Sequence, residues 1–377
     1  DLRMSRGLGD VYKRQILMNE KLSNISKMFD KVLKDCVTSN IKITLYFDHI
    51  RIQAMNERIT YTDDIFDVNT DISCDHKFSF LVDAGTLISF FKNHNQDIEI
   101  EIKNDYSIVF KYDRGSFSST WIEDKAFPDF FYPVGDGIRV MSSSFIQSMK
   151  RSFAFVGSDE FRPAIGSILL NVKKEYIDIV STDMFHLFIN RKEYANAVEE
   201  RSIMLSEVAA SILYRFLSDK DTEISISTDG VRTFLCFDNV IISDMNVEQQ
   251  YPNYEYVCNK FEKSSSVKFD RDLLISVLNS MTLVDNVVNV KVDKENGITV
   301  MSEDFGNRKK IMESMPFNAL EGPCFNFSID KENILSSVKS LIKGDVVMDW
   351  SDQYKMIKMF NPKYESTYVL NQTLYNL

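Results

Sequence analysis

The 377-residue chain is poor in the residues that cross-link, ligate metals or cradle phosphates: it has five cysteines, four histidines, seven prolines and 13 glycines. Cys36, Cys74, Cys236, Cys258 and Cys324 stand singly with no C-x-x-C pair, which argues against a disulfide framework and against a zinc site, and suits a reducing cytoplasm. His49, His76 and His94 show no helical i, i+4 pairing and no neighbouring Cys or carboxylate set at ligand spacing, so no metal is expected. Neither G-x-x-x-x-G-K-[ST] nor G-x-G-x-x-G occurs, and no cofactor is expected. No apolar run approaches the roughly 18 residues of a spanning helix, so a membrane is not among the expected partners. The opening "DLRMSRGLGDVYKRQ" is basic, but no apolar segment or small-residue cleavage site follows it. Residues 1–15 read as a tail or an appended extension rather than a secretory signal.

What remains has globular proportions, with 44% apolar and 26% charged residues. The length exceeds what one hydrophobic core usually serves and implies two or three domains. A net charge of −11 counts against nucleic acid as a partner unless the cations gather on one surface.

Self-similarity organises the chain. "FSFLVDAGTLISFFKNHNQDIEIEI" from Phe78, "SIMLSEVAASILYRFLSDKDTEISI" from Ser202 and "FNFSIDKENILSSVKSLIKGDVVMDW" from Phe325 each read as strand, cap residue, three-turn helix, polar turn and alternating strand. The caps would be Asp83, Ser206 and Asp330, spaced 123 and 124 residues apart. A second echo at the same spacing, "FSSTWIEDKAFPDF" from Phe117 and "IISDMNVEQQYPNY" from Ile241, ends in aromatic-Pro-x-aromatic both times. Each third also opens with a further helix leading into strands: "SNISKMFDKVLKDC" from Ser23, "SSSFIQSMKRSFAF" from Ser142 and "DRDLLISVLNSMTLV" from Asp270. The expected fold class is therefore α+β, with domains at 16–135, 136–260 and 261–377, each of two helix-plus-strands units. The acidic "YTDDIFDVNTD" reads as a solvated loop.

The helices sort their charges. In the first, Ile25, Met28, Phe29, Val32 and Leu33 form an apolar stripe and Lys27, Lys31 and Lys34 lie opposite. The helix at Ser142 buries Phe145, Ile146, Met149 and Phe153 and turns out Gln147, Lys150 and Arg151; Arg215, Lys339 and Lys343 extend the set. Any one such stripe is what an ordinary solvated helix face looks like. Together, in an acidic chain, they suit a polyanion held through phosphate contacts without sequence readout.

"DEFRPAIGSILLNV" followed by "VSTDMFHLF", with "QQYPNYEYV" about 60 residues on, resembles the middle domain of the bacterial DNA polymerase III beta subunit, the beta sliding clamp family. The likeness runs from about Ile16 to Leu377. It implies three repeated clamp domains in a head-to-tail dimeric ring, helices inside and sheets outside, with no bond chemistry. It further implies sequence-independent duplex DNA as a partner, and a DNA polymerase and clamp loader bound through short linear peptides. On the resemblance, Arg162 joins the DNA-binding set, and the peptide pocket falls on Ile165, Thr182, Met184, His186, Leu187, Pro252, Val257, Val369 and Leu370. The chain departs from the family pattern at Met184, Phe185 and His186, where the pocket edge becomes bulkier and loses a fixed cation, and in its tail "VLNQTLYNL", which lacks the family's proline.

Ser181, Asp183 and His186 are close enough in sequence to suggest a catalytic triad. Near neighbours on one segment rarely converge, and no catalytic residue is expected. A rival of another class is a β-rich repeat scaffold or adhesion protein that binds protein or glycan through the same edges. Replacing Lys27, Lys31, Lys150 and Arg151 by Ala is expected to weaken retention on DNA and flatten its salt dependence while leaving self-association intact. Unchanged retention would remove these helix faces from the DNA-facing surface.

Overall fold

Apolar residues at every second position give the strands one buried face. In Val287–Asp293 the side chains of Val288, Val290 and Val292 are fully buried while Val287, Asn289 and Lys291 are exposed. The computed structural model describes residues 40–66, 76–94, 98–103, 105–125, 127–194, 199–217, 221–281, 286–304, 306 and 308–374. The helix expected from Ser23, with Lys27, Lys31 and Lys34, lies outside the described residues.

Along the chain, strands β1 (Asn40–Leu45), β2 (His49–Met55), β3 (Ile59–Phe66) and β4 (Phe78–Asp83) precede helix α1 (Ala84–Asn93) and strands β5 (Glu99–Ile102), β6 (Ser107–Tyr112) and β7 (Gly115–Glu123). Then β8 (Ile138–Met141) leads into α2 (Ser142–Ser152), followed by β9 (Ser167–Val172), β10 (Tyr176–Thr182), β11 (His186–Glu193) and β12 (Arg201–Ser206). Helix α3 (Glu207–Leu217) and strands β13 (Glu223–Thr228), β14 (Arg232–Phe237) and β15 (Val240–Met245) complete this stretch. A short α4 (Tyr254–Lys260) intervenes before the same succession recurs. It comprises β16 (Ser265–Asp270), α5 (Arg271–Ser280), β17 (Val287–Asp293), β18 (Gly297–Asp304), β19 (Lys309–Met315), a brief β20 (Ala319–Glu321), β21 (Phe325–Asp330), α6 (Lys331–Ser340), β22 (Asp345–Ser351), β23 (Met356–Phe360) and β24 (Thr367–Gln372).

The three expected caps do what their side chains suit them for. Asp83 accepts from the Thr86 N–H (2.7 Å), Ser206 from Ala209 (3.1 Å), and Asp330 from Glu332 and Asn333 (2.8 and 3.2 Å). Each satisfies first-turn donors that a helix leaves free.

The described residues divide into two compact units, one drawn from Asp1–Ser144 and Ser211–Asn246, the other from Phe145–Ala210 and Val247–Leu377. The first holds an eleven-stranded antiparallel sheet in the order β5-β6-β7-β4-β1-β2-β3-β15-β14-β13-β8. Within it β3 pairs with β15, Tyr61 facing Ile242 and Thr60 facing Ser243. β3 corrects the reading of "YTDDIFDVNTD" as a loop over Tyr61–Phe66; residues 67–71 lie outside the described residues. Tyr61 and Ile65 are buried in the core, and Asp64 makes a two-pronged ion pair with Arg51 (2.7 and 2.8 Å), so the acids do not keep this stretch out of the sheet.

The second unit holds a nine-stranded sheet, β12-β9-β10-β11-β24-β23-β22-β16-β20, and a four-stranded one, β19-β18-β17-β21. Helices α5 and α6 pack against each other over a core that includes Phe269, Leu274, Leu278, Ile334, Val338 and Trp350. Arg271 at the start of α5 donates to the Val338 and Lys339 carbonyls (both 3.0 Å) and so closes the C-terminal end of α6. Here β11 pairs with β24, placing Leu187 opposite Leu370 and Phe188 opposite Val369.

Two pairings thus follow one rule: the third strand of an opening meander, β3 or β11, bonds to the last strand of the stretch that follows, β15 or β24. The rule leaves two strands over. β19 is the edge of its sheet, and β7 over Gly115–Thr120 pairs with β6 alone among the described residues.

Asp330→Ala should cost about 1 kcal/mol, the usual value of an N-cap, and Asp330→Ser should restore most of it. Hydrogen exchange of the first-turn amides of α6, read alongside denaturant unfolding, checks this. Unaltered protection in the Ala variant would contradict the capping role.

Candidate functional site

The second unit carries a groove of about 430 Å³. Its first wall is the turn between β10 and β11. Thr182 Oγ1 donates to the His186 carbonyl (2.5 Å) and accepts from the Met184 N–H (3.0 Å). Asp183 Oδ1 accepts from the Phe185 and His186 N–H groups (2.9 and 2.7 Å). These bonds hold Met184 at φ +78°, a left-handed conformation that an unbranched L-residue adopts at a cost, and leave Met184 and Phe185 exposed at the rim. The second wall is α4, capped by Asn253 accepting from the Tyr256 N–H (3.0 Å), with Pro252 just ahead of it. Leu187 and Leu370, set opposite each other by the β11–β24 pairing, lie between, and Tyr354 and Met356 also line the groove.

An ion pair built on a buried carboxylate anchors α4. The Asp178 carboxylate, with no exposed surface, receives Arg191 Nε (2.8 Å) and Nη2 (2.9 Å), while the Arg191 guanidinium lies 3.8 Å from the centre of the Tyr176 ring. Tyr254, the first residue of α4, donates its hydroxyl to Asp178 Oδ2 (2.9 Å) and accepts from Asn171 Nδ2 (2.6 Å). Burial pushes the Tyr254 phenol well above its ordinary range, so it remains a donor at every physiological pH. On the last strand, Tyr368 donates to Cys258 Sγ at 3.5 Å, a second tie to α4.

The structure gathers Thr182, Met184, His186, Leu187, Pro252, Val257 and Leu370 around this groove. It does not gather Ile165 or Val369. Ile165 is buried on the single-turn helix Pro163–Gly166, and Val369 packs with Phe155 and Phe188 on the opposite sheet face from Leu370, as alternation along a strand requires. Phe185, Tyr256, Lys260, Tyr354 and Met356 also line the groove. Phe185 is expected at the pocket edge, but nothing local points to the others: "NYEYVCNK" carries too short an apolar pattern to announce a helix, and Tyr354 and Met356 arrive from a turn some 170 residues away from Met184.

Ser181, Asp183 and His186 do not form a triad. Ser181 is buried and donates to the Ser152 carbonyl (2.8 Å). His186 does have an orienting partner, since Asp183 Oδ2 lies 2.6 Å from its Nδ1, but Ser181 is not part of that contact. Burial raises the Asp183 pKa, but the hydrogen bond and charge of His186 and two backbone N–H groups outweigh it, and the net shift is downward.

Of the expected DNA-facing residues, Gln147 and Lys150 are exposed on α2, with Arg151 half-buried beside them. Lys192 stands near enough to Arg151 for its pKa to fall, through burial first and this like charge second. Arg162 is exposed and holds Asp159 (Nε 2.8 Å, Nη2 2.6 Å). Arg215 on α3, Lys339 on α6 and Lys343 just beyond it are exposed. Among the described residues, no group of three or more His, Cys, Asp or Glu could hold a metal ion.

No family model matches the chain. It is 22% identical over 199 residues, 48% of its length, to the beta sliding clamp of Rickettsia bellii (strain RML369-C), and 25% identical over 170 residues, 44% of its length, to that of Buchnera aphidicola subsp. Rhopalosiphum padi. The chain spans about half the length of the curated relatives it matches, 52% and 46%. In fold it is similar to the DNA polymerase sliding clamp of Bacillus subtilis (TM-score 0.85, 15% identity) and the DNA polymerase III beta subunit of Thermotoga maritima (TM-score 0.84, 16% identity), each covering 97% of this chain and 100% of the other. A third structure of similar fold is the sliding clamp of Pseudomonas aeruginosa bound to griselimycin (TM-score 0.84, 14% identity).

Asp178→Asn should destabilise the chain by about 2 kcal/mol, the scale of hydrogen bonds to a charged group, because Arg191 loses its charge partner and one amide oxygen is left for Arg191 and Tyr254 to share. Thermal unfolding checks the loss. A variant as stable as the parent would show that the ion pair does not hold α4.

Proposed function

We propose that this chain, a divergent relative of the bacterial beta sliding clamps, encircles duplex DNA as a head-to-tail homodimer and tethers a polymerase for processive synthesis. The role involves no bond chemistry. The observation that carries the reading is the pair of strands left over by the sheet-joining rule. If β3 with β15 and β11 with β24 are two instances of one contact, the third is β19 of one copy with β7 of another. Such pairing would satisfy backbone groups that an open edge leaves exposed, and repeated twice it closes a ring rather than growing a fibre.

On this reading the chain has clamp domains at 16–135, 136–260 and 261–377, and six of them surround the DNA in the cytoplasm. Gln147, Lys150, Arg151, Arg162, Arg215, Lys339 and Lys343, with Lys27, Lys31 and Lys34, would face the phosphates, and the acidic surplus would lie outside. Contacts limited to phosphates would let the ring slide, since nothing in them depends on base identity. The groove walled by the Thr182–His186 turn and α4 would take the extended peptides of polymerase and clamp loader, its apolar floor burying side chains and its turn fixing the backbone.

Solution scattering with mass measurement tests the assembly. The expected outcome is a particle of twice the chain mass with a central hole wide enough for a duplex. A monomer at micromolar concentration would overturn the ring and leave a binding scaffold as the reading to pursue.

A further inference from the structure

We infer that Arg151 on α2 and Lys192 on β11 form a two-cation notch that holds a single phosphate group, and that in the assembled protein this group is one backbone phosphate of the bound duplex. The inference rests on the DNA-encircling reading above. It goes beyond that reading by adding Lys192, a strand residue that neither the helix stripes nor the family resemblance put among the DNA-facing cations, and by making the two residues one site.

The fold brings the pair together. The end of α2 lies against β10 and β11: Ser181 Oγ donates to the Ser152 carbonyl (2.8 Å), and the ring of Phe155, just beyond the helix, stacks on Phe188 with centres 5.5 Å apart. Side chains alternate along a strand, so Lys192 shares with Phe188 the face of β11 turned toward that helix end, while Arg191 takes the other. Arg151 directly precedes Ser152, and both Arg151 and Lys192 are half-buried. Gln147, one turn before Arg151 on α2, is exposed, so the notch stands at the end of the helix's polar stripe.

Charge sets this pair apart. Other cations of the sheets are matched by acids: Arg191, next to Lys192 in the chain, forks onto Asp178, Arg51 forks onto Asp64, and Lys42 lies 2.7 Å from Asp124. Among the described residues no carboxylate pairs with Arg151 or Lys192. Burial depresses the pKa of both, and the Lys192 ammonium is also repelled by the guanidinium, which keeps its proton. Two neighbouring positive charges, partly withdrawn from water and unneutralised, cost stability that a bound anion restores. A phosphate suits them because the planar guanidinium matches two of its oxygens and the ammonium adds a point charge. Partial burial also screens the attraction less than at the exposed Lys150.

The test uses the full chain with Arg151→Met, Lys192→Met and the double substitution, and Lys192→Arg as the charge-preserving control. Anisotropy of a fluorescein-labelled duplex across a chloride series gives the slope of log affinity against log salt. The double substitution should flatten that slope by about 0.9, the value for one phosphate, where two separate contacts would give about 1.8; Lys192→Arg should keep the parent slope. In a second arm, thermal unfolding in inorganic phosphate is compared with unfolding in chloride at equal ionic strength. The parent should melt higher in phosphate, and the double substitution should lose the difference. Stabilisation by phosphate with a duplex slope indifferent to every substitution would assign the notch to free phosphate and overturn the backbone source. A flattening near the two-contact value would overturn the shared site, and neither a phosphate effect nor a slope change would overturn the notch itself. Failure of the parent to bind duplex would count against the DNA-encircling reading, and the phosphate arm would still decide whether the notch exists.

Discussion

Antiparallel pairing between strands far apart in the chain is the constraint on which the rest of this molecule depends. Strand β11 and strand β24 are separated by more than a hundred and seventy residues, yet their ladder sets Leu187 against Leu370 and Phe188 against Val369. A one-residue slip would exchange the two faces, sending Val369 into the groove and Leu370 under it. The groove floor is therefore a property of register rather than of any single side chain. In the other unit the ladder between β3 and β15 plays the same part, strengthened by the 2.6 Å contact between the Thr60 and Ser243 hydroxyls.

Onto this frame a small number of polar contacts fix what register alone leaves loose. The Asp183 carboxylate ties down both N–H groups and the imidazole of the turn, which allows Met184 to keep a backbone conformation ordinarily left to glycine. Asp178 joins Arg191 on β11 to Tyr254 on α4. Removing the Asp178 carboxylate from water is costly, and the fork-shaped pairing with the half-exposed Arg191 and the added phenol hydrogen bond is what offsets it. Both groove walls are thus built from carboxylates that turn inward, which explains why, among the described residues of an acidic chain, the groove is lined by Lys260 and no acid.

Much of the architecture was legible before any coordinates. Asp83, Ser206 and Asp330 are each followed by an apolar helical pattern and preceded by an alternating strand, and local physics suffices to interpret such a combination. The acidic stretch around Asp63 and Asp64 reads as a loop by its charge, yet its alternation is that of a strand. Arg51, thirteen residues earlier, neutralises Asp64, while Tyr61 and Ile65 supply the buried face. For the groove, residues in the Thr182–Leu187 segment and Pro252 were reachable only through the resemblance to a known family. Tyr256, Lys260, Tyr354 and Met356 were not, because their presence depends on where α4 and a hairpin turn dock.

The sequence by itself determined the elements: caps, alternation and helical stripes act over a few residues, and their free energies are set by neighbours in the chain. Tertiary structure alone decided which strands meet, which face of β24 reaches the groove and that a lysine at the end of α4 stands between two tyrosines. These depend on hydrogen bonds and packing between segments more than a hundred residues apart, and no local pattern encodes the register in which such segments come together.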